Sequence, residues 1–243
     1  MIAYFKRQSN LFMVLGAGLM VLILMPVYVS WLPKQEFYMR AFYLVLPAFF
    51  GVIIGRLFAA WWSNRKIREM DGLLYEKNDP EAFLRVFAPL AERVPHETIE
   101  YINGRLKLAY AYEGLGQYKN SLQMMDGLKP LELRLHALAA ASLLANQQTR
   151  IHLLMEDTEK AGKGLSQLRE LKTTAEGRVP VLAKNLEDCI HLADVWLGFL
   201  KGESCDIDYI KEERDLAKNA IHRKEMEDLI SKMQESEEKA GKI

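Results

Sequence analysis

Cysteine is nearly missing from this chain: two in 243 residues, Cys189 and Cys205. Two thiols exclude a disulfide framework. They leave room for one bridge, and reduced thiols in a cytosolic compartment are the expectation. Net charge is missing too, because 32 basic and 32 acidic residues cancel. No global field then draws the chain to a polyanion, and nucleic acid is not an expected partner. The punctuation of catalytic and metal sites is equally scarce. His96, His136, His152, His191 and His222 form no His-Glu-x-x-His pattern, and Cys189-x-His191 is poor metal spacing. Gly162-Lys163-Gly164 lacks the preceding strand and the Lys-Ser/Thr ending of a phosphate loop, and no Gly-x-Ser-x-Gly elbow occurs. The acidic runs Glu156, Asp157, Glu159 and Glu212, Glu213, Asp215 read as solvated helix faces. No metal, no cofactor and no enzymatic reaction are expected.

What is abundant is apolar length near the start. Ser9–Pro33 carries no charge, and Ala41–Trp62 carries only Arg56. Some 22 residues at helical rise cover about 33 Å, enough for a hydrocarbon core of about 30 Å. The first run exceeds the apolar core of a secretory signal, no Ala-x-Ala site follows it, and a second run comes soon after. Two retained spans are therefore expected, about 11–32 and 41–62, joined by Pro33–Arg40 as an antiparallel hairpin. Residues 1–63 form the membrane anchor in this reading. Lys6 and Arg7 before the first span and Arg65, Lys66 and Arg68 after the second outnumber Lys34 and Arg40 between them. That bias puts both termini on the cytoplasmic side of a plasma or inner membrane.

Within the spans, Trp31, Trp61 and Trp62 suit the interfacial belts, and Arg56 lies close enough to the cytoplasmic end to snorkel to headgroups. Ala48, Gly51, Gly55 and Ala59 fall on one face of the second span, a small-x-x-x-small stripe that admits another backbone. The first span of the same chain, with Gly16, Ala17 and Gly18, is one occupant; a homodimer through the second span is the other.

From Lys66 the apolar spacing turns helical, and no breaker separates it from the second span, so one helix is expected to run on out of the membrane. Asn78-Asp79-Pro80-Glu81 reads as a stop and restart, with Asp79 as cap and Pro80 in the first turn. Glu97–Leu115 reads as a helix, Gly116-Gln117-Tyr118 as a turn and Lys119–Leu128 as a second helix. Leu108-Ala109, Tyr112, Gly116, Tyr118, Leu122 and Pro130 are the positions at which this segment resembles the tetratricopeptide repeat, a helix–turn–helix unit of about 34 residues. Arg105 and Ser121 depart from that pattern, and Pro130 arrives early. The same frame puts Asn146-Gln147 at the next turn. Beyond it, Gly162 and Gly164 are candidate breaks, Gly177 and Pro180 mark a stop and restart, Val181–Lys201 is an apolar helix, and Asp208–Lys232 is a charged terminal helix. Residues 64–233 thus form the repeat domain, and 234–243 a frayed or disordered tail.

The resemblance implies an all-α fold: a transmembrane helical hairpin followed by an α-solenoid of antiparallel helix pairs facing the cytosol. It also implies that protein partners meet the first helix of each pair, which places Asn103, Leu106, Tyr110 and Glu113 on the partner-binding face. The expected function is a membrane-anchored adaptor or scaffold, in contact with the lipid bilayer and with protein partners. The alternative is a structural subunit of a larger membrane complex, assembled through its spans.

Overall fold

A computed structural model describes residues 2–31, 37–96, 98–129, 137–203, 205–217 and 219–240. Among them the secondary structure is entirely helical. After a 3-10 turn at Ile2–Phe5 come α1 (Lys6–Trp31), α2 (Phe37–Tyr75), α3 (Pro80–Ala91), α4 (Ile99–Gly114) and α5 (Tyr118–Met125). Then follow α6 (Ala137–Leu154), α7 (Thr158–Glu176), α8 (Pro180–Leu200), α9 (Ile207–Leu216) and α10 (Ala220–Ala240). The chain divides into two units, residues 1–70 with 92–94, and residues 71–91 with 95–243.

In the first unit, two helices are long and apolar enough to cross a membrane, with 18-residue stretches of mean hydropathy 2.0 within Ala3–Pro26 and 1.7 within Val45–Tyr75. Their large apolar side chains point outward; Val14, Leu22, Val45 and Leu57 are all exposed. One stripe of α2 is instead buried every four residues, at Pro47, Gly51, Gly55, Ala59 and Ser63. That spacing follows the helical period, so small residues share one side. α2 runs unbroken through Arg65 and Lys66, as the lack of a breaker implies; Arg65 and Lys66 both pair with Glu69, at 3.1 and 2.8 Å. Of the loop expected over Pro33–Arg40, residues 37–40 are instead the first turn of α2, and residues 33–36 lie outside the described ones.

The second unit is assembled from helices with readable ends. Asn78 takes a positive φ of 51°, and Asp79 Oδ1 accepts the Ala82 amide at 2.9 Å, so the stop and restart falls where the sequence put it. Thr98 caps α4 by accepting the Tyr101 amide; such a cap contributes about 1 kcal/mol. α4, α6 and α8 end in one and the same turn. A residue at positive φ (Gly116, Glu156, Gly202) donates to a carbonyl three residues back, and its successor donates to one five back. This pairing satisfies the orphan carbonyls of a helix end. α4 then folds back on α5, and α6 on α7.

α6 is the hub of this unit. Its Ala-rich sequence is thin enough to be packed on several sides: Ala140 and Leu144 join a core with α4 and α5, whereas Ala141 and Ala145 join one with α7 and α8. A helix buried on several faces lacks a single apolar stripe, which is why its boundaries were misread from periodicity. Asn146-Gln147 is not a turn. Gln147 is buried in mid-helix and donates to the Leu106 carbonyl at 3.3 Å, and the turn comes at Met155–Asp157. Gly162 and Gly164 do not break α7 either. A methyl on Gly164 would come within 3.2 Å of Thr149 Cβ, so this glycine marks where α6 and α7 approach closely.

Two further expectations are corrected near the end. The charged helix expected over Asp208–Lys232 is two helices, because Ala217 is extended and Asn219 caps a new start by accepting the His222 amide at 2.7 Å. The tail expected to fray from residue 234 remains helical to Ala240, with Met233 buried; residues 241–243 lie outside the described ones.

Candidate functional site

α10 packs beside α9 and reaches α4, α6 and α8 through its side chains. Its Met226, Leu229, Ile230 and Met233 join Leu153 of α6 and Trp196 of α8 in one apolar core. Burying four such side chains contributes on the order of 1.5–3 kcal/mol each. Polar contacts fix the register. Tyr110 donates its hydroxyl to Asn219 Oδ1 at 2.6 Å, and Lys232 pairs with Glu156 at 2.7 Å. Ile221 rests on Gly114, where a methyl would come within 2.7 Å of its Cδ1. At the centre, Arg150 of α6 donates to both Glu113 of α4 and Glu225 of α10, the latter at 2.9 Å. Its guanidinium also stands 5.8 Å from the Tyr110 ring centroid.

Two carboxylates around one buried guanidinium do not ionise alike. Burial pushes Glu113 well above the usual carboxylate range, against the pull of Arg150 and with the repulsion of Glu225. Burial also opposes ionisation of Glu225, but Arg150 and His222 overcome it and hold Glu225 near 2. The stable arrangement is a protonated Glu113, a cationic Arg150 and an ionised Glu225. Burial likewise raises the Tyr110 phenol, which stays neutral and donates to Asn219. Next to this cluster is a cavity of about 200 Å³, lined by Asn146, Arg150 and Trp196 from α6 and α8 and by His222 of α10.

The four residues expected on a partner-binding face separate. Tyr110 and Glu113 come together, buried under α10. Leu106 turns the other way into the core with α5 and α6, and Asn103 is exposed. The departures from the repeat pattern have local reasons. Ser121 is buried and donates to the Ala109 carbonyl at 2.6 Å, doing in the same volume what a methyl would leave undone. Arg105 donates to the Met124 and Gln123 carbonyls at the end of α5. Sequence reasoning missed Arg150, Asn219 and Glu225. Only Asn219 carried a local signal, as a polar cap before a helical run.

In the first unit, methyls on Gly51 and Gly55 would come within 2.7 Å of Ala17 Cα and 2.9 Å of Met13 Cα, so α1 of the same chain occupies that stripe. Ala59 is fully buried on it and Ala48 half-buried. Trp61 is exposed, with the Arg65 guanidinium 5.9 Å from its ring centroid. Trp62 instead packs edge-on against Phe5 and Phe12, at 5.1 and 5.8 Å. Arg56 is exposed among apolar neighbours; Trp31 ends α1, and its side chain lies outside the described ones. Cys189 and Cys205 are free thiols, and burial raises both. His191, beside Cys189 in sequence, packs on the Tyr209 ring at 4.3 Å.

Compared with family models, with curated proteins and with solved structures, the chain finds no match in any of the three.

Proposed function

We propose that this chain is a membrane-anchored adaptor: a two-span hairpin with both termini on the cytoplasmic side, carrying a tetratricopeptide-like α-solenoid that binds protein partners. The observation that carries this reading is the face of α4, α6 and α8. It receives an amphipathic helix through an apolar floor, a guanidinium and a phenol, which is the chemistry of helix-in-groove recognition. The repeated turn at Gly116, Glu156 and Gly202 supports a solenoid built by reiteration, although its spacing is longer than the repeat it resembles. The exposed apolar sides of α1 and α2 support the anchor.

The test is photo-crosslinking in cells with the full-length chain, from a probe at the exposed Asn103, beside the variants Tyr110→Ala with Glu113→Ala and, in the apolar stretch, Arg56→Gln. The adaptor reading expects partners that depend on the first pair. Partners that persist there but vanish with the second would sink it. They would favour a subunit of a larger membrane complex, a reading that Arg56, exposed in the apolar stretch, independently supports as a docking point for another chain's carboxylate.

A further inference from the structure

We propose that the cavity between α6, α8, α9 and α10 binds a free α-amino acid with an apolar side chain, its carboxylate held by Arg150 and Asn219 and its ammonium by Asp188 and Glu213. The inference uses contacts inside the second unit alone and is independent of the adaptor reading.

Part of the lining consists of hydrogen-bond donors that the fold leaves unspent. Arg150 bonds Glu113 and Glu225 through Nη2, and its Nε is buried without a partner. The edge of the guanidinium left to line the cavity is therefore Nη1, with two protons. Asn219 is oriented in the same sense. Its Oδ1 accepts both the Tyr110 hydroxyl at 2.6 Å and the His222 amide at 2.7 Å, so Nδ2 is the free edge and has no acceptor among the described residues. Asn146 stands one turn before Arg150 on the same face of α6 and brings another carboxamide to the lining. Donors that converge without an acceptor call for an oxyanion, and a guanidinium edge favours a carboxylate.

The other charged groups of the lining are acids. Asp188 of α8 and Glu213 of α9 pair with no cation among the described residues. Glu225 already neutralises Arg150, and Glu113 is protonated, so these two carboxylates give the cavity a negative balance. A plain anion would be repelled by them, and a plain cation would leave the donors unanswered. A zwitterion satisfies both. Cys189 lies within reach of both sets: burial raises its thiol, Arg150 pulls it down, and Asp188 and Glu213 push it up. One small molecule can then span them, as the adjacent ammonium and carboxylate of an α-amino acid do. Leu153, Leu192 and Trp196 supply an apolar wall for its side chain. The volume of about 200 Å³ is below the roughly 300 Å³ at which drug-sized sites begin, and suits a ligand of this size.

The experiment uses the full-length chain purified in detergent, titrated calorimetrically with leucine, methionine and phenylalanine and with the amide and N-acetyl form of each. At least one free amino acid should bind, about tenfold or more tightly than the forms lacking either charge. Asp188→Asn with Glu213→Gln, which leaves the bonds of Arg150 in place, should weaken binding by a similar factor. Methanethiosulfonate labelling read by mass spectrometry locates the site: bound amino acid should slow modification of Cys189, which lines the cavity, and leave Cys205 unchanged. No binding by any of the three at millimolar concentration overturns the proposal. So does an amide that binds as well as the free amino acid, which would mark a cation site, or an N-acetyl form that does, which would mark an anion site. Full affinity in the double variant, or binding that leaves Cys189 as reactive as before, also overturns it.

Discussion

Arg150 stands where three helices meet, and its two carboxylate partners set opposite pH responses. Glu225 has a lowered pKa, so its contribution is present above the ordinary carboxylate value and is lost only as pH falls toward about 2. Glu113 has a raised pKa. Its contribution is complete below the usual 4.5 and fades as pH rises toward its elevated folded value. As pH rises above the usual 4.5, then, the melting temperature should drift downward, and Glu113→Gln should flatten that drift while leaving the acid limb intact. Arg150→Met is a harsher change. It strands a buried, ionised Glu225, and the loss read from a denaturant midpoint should be about 3–5 kcal/mol. None of this was visible in the sequence. Arg150 and Glu225 are 75 positions apart, and neither falls on a motif. Ser121 shows the reverse: it looked like a departure from a small apolar position, yet its size was the legible part, and only its bond to the Ala109 carbonyl required the fold.

At the level of helices, the ends marked by residues with strong backbone preferences were readable: Asp79-Pro80, Gly116, Gly177 and Pro180 all lie at real boundaries. The boundaries set by tertiary packing were not. Glu156 adopts positive φ at 59° with no glycine to announce it, and the end of α9 at Leu216 sits inside a charged stretch whose helix propensity favours continuation. Half of the candidate face was legible for the same reason: α4 has a regular period, so Tyr110 and Glu113 share one side, but their cover comes from a helix that local pattern cannot assign. Glycine contacts yield two predictions. Gly164→Val should force α6 and α7 apart at Thr149 and cost on the order of 1–3 kcal/mol in thermal or chemical unfolding. Gly51→Leu with Gly55→Leu should part α1 from α2. Crosslinking by a short bismaleimide between cysteines placed at Phe12 and Phe58, whose rings stand 5.1 Å apart, should lose efficiency in the leucine variant relative to the chain with both glycines.

For the molecule as a whole, the proposed anchor makes two expectations. Alkaline carbonate should leave the intact chain in the membrane pellet, and an impermeant thiol reagent should label Cys205 only after lysis; labelling on intact cells would reverse the orientation. The long reach of the contacts made by α10 also has a consequence for synthesis. Its polar bonds join residues separated by 109, 75 and 76 positions, and closures of that length come late, because chain entropy must be surrendered before the contacts form. During translation the apolar helices emerge first, and Arg150 leaves the ribosome long before Glu225 exists. A nascent chain halted in between holds a guanidinium with one reluctant partner and an uncovered floor at Leu153 and Trp196, which is the kind of surface that chaperones and proteases engage. Products ending near Leu216 should therefore turn over faster in pulse-chase than the full chain, so that cellular quality control removes the incomplete copies before they accumulate.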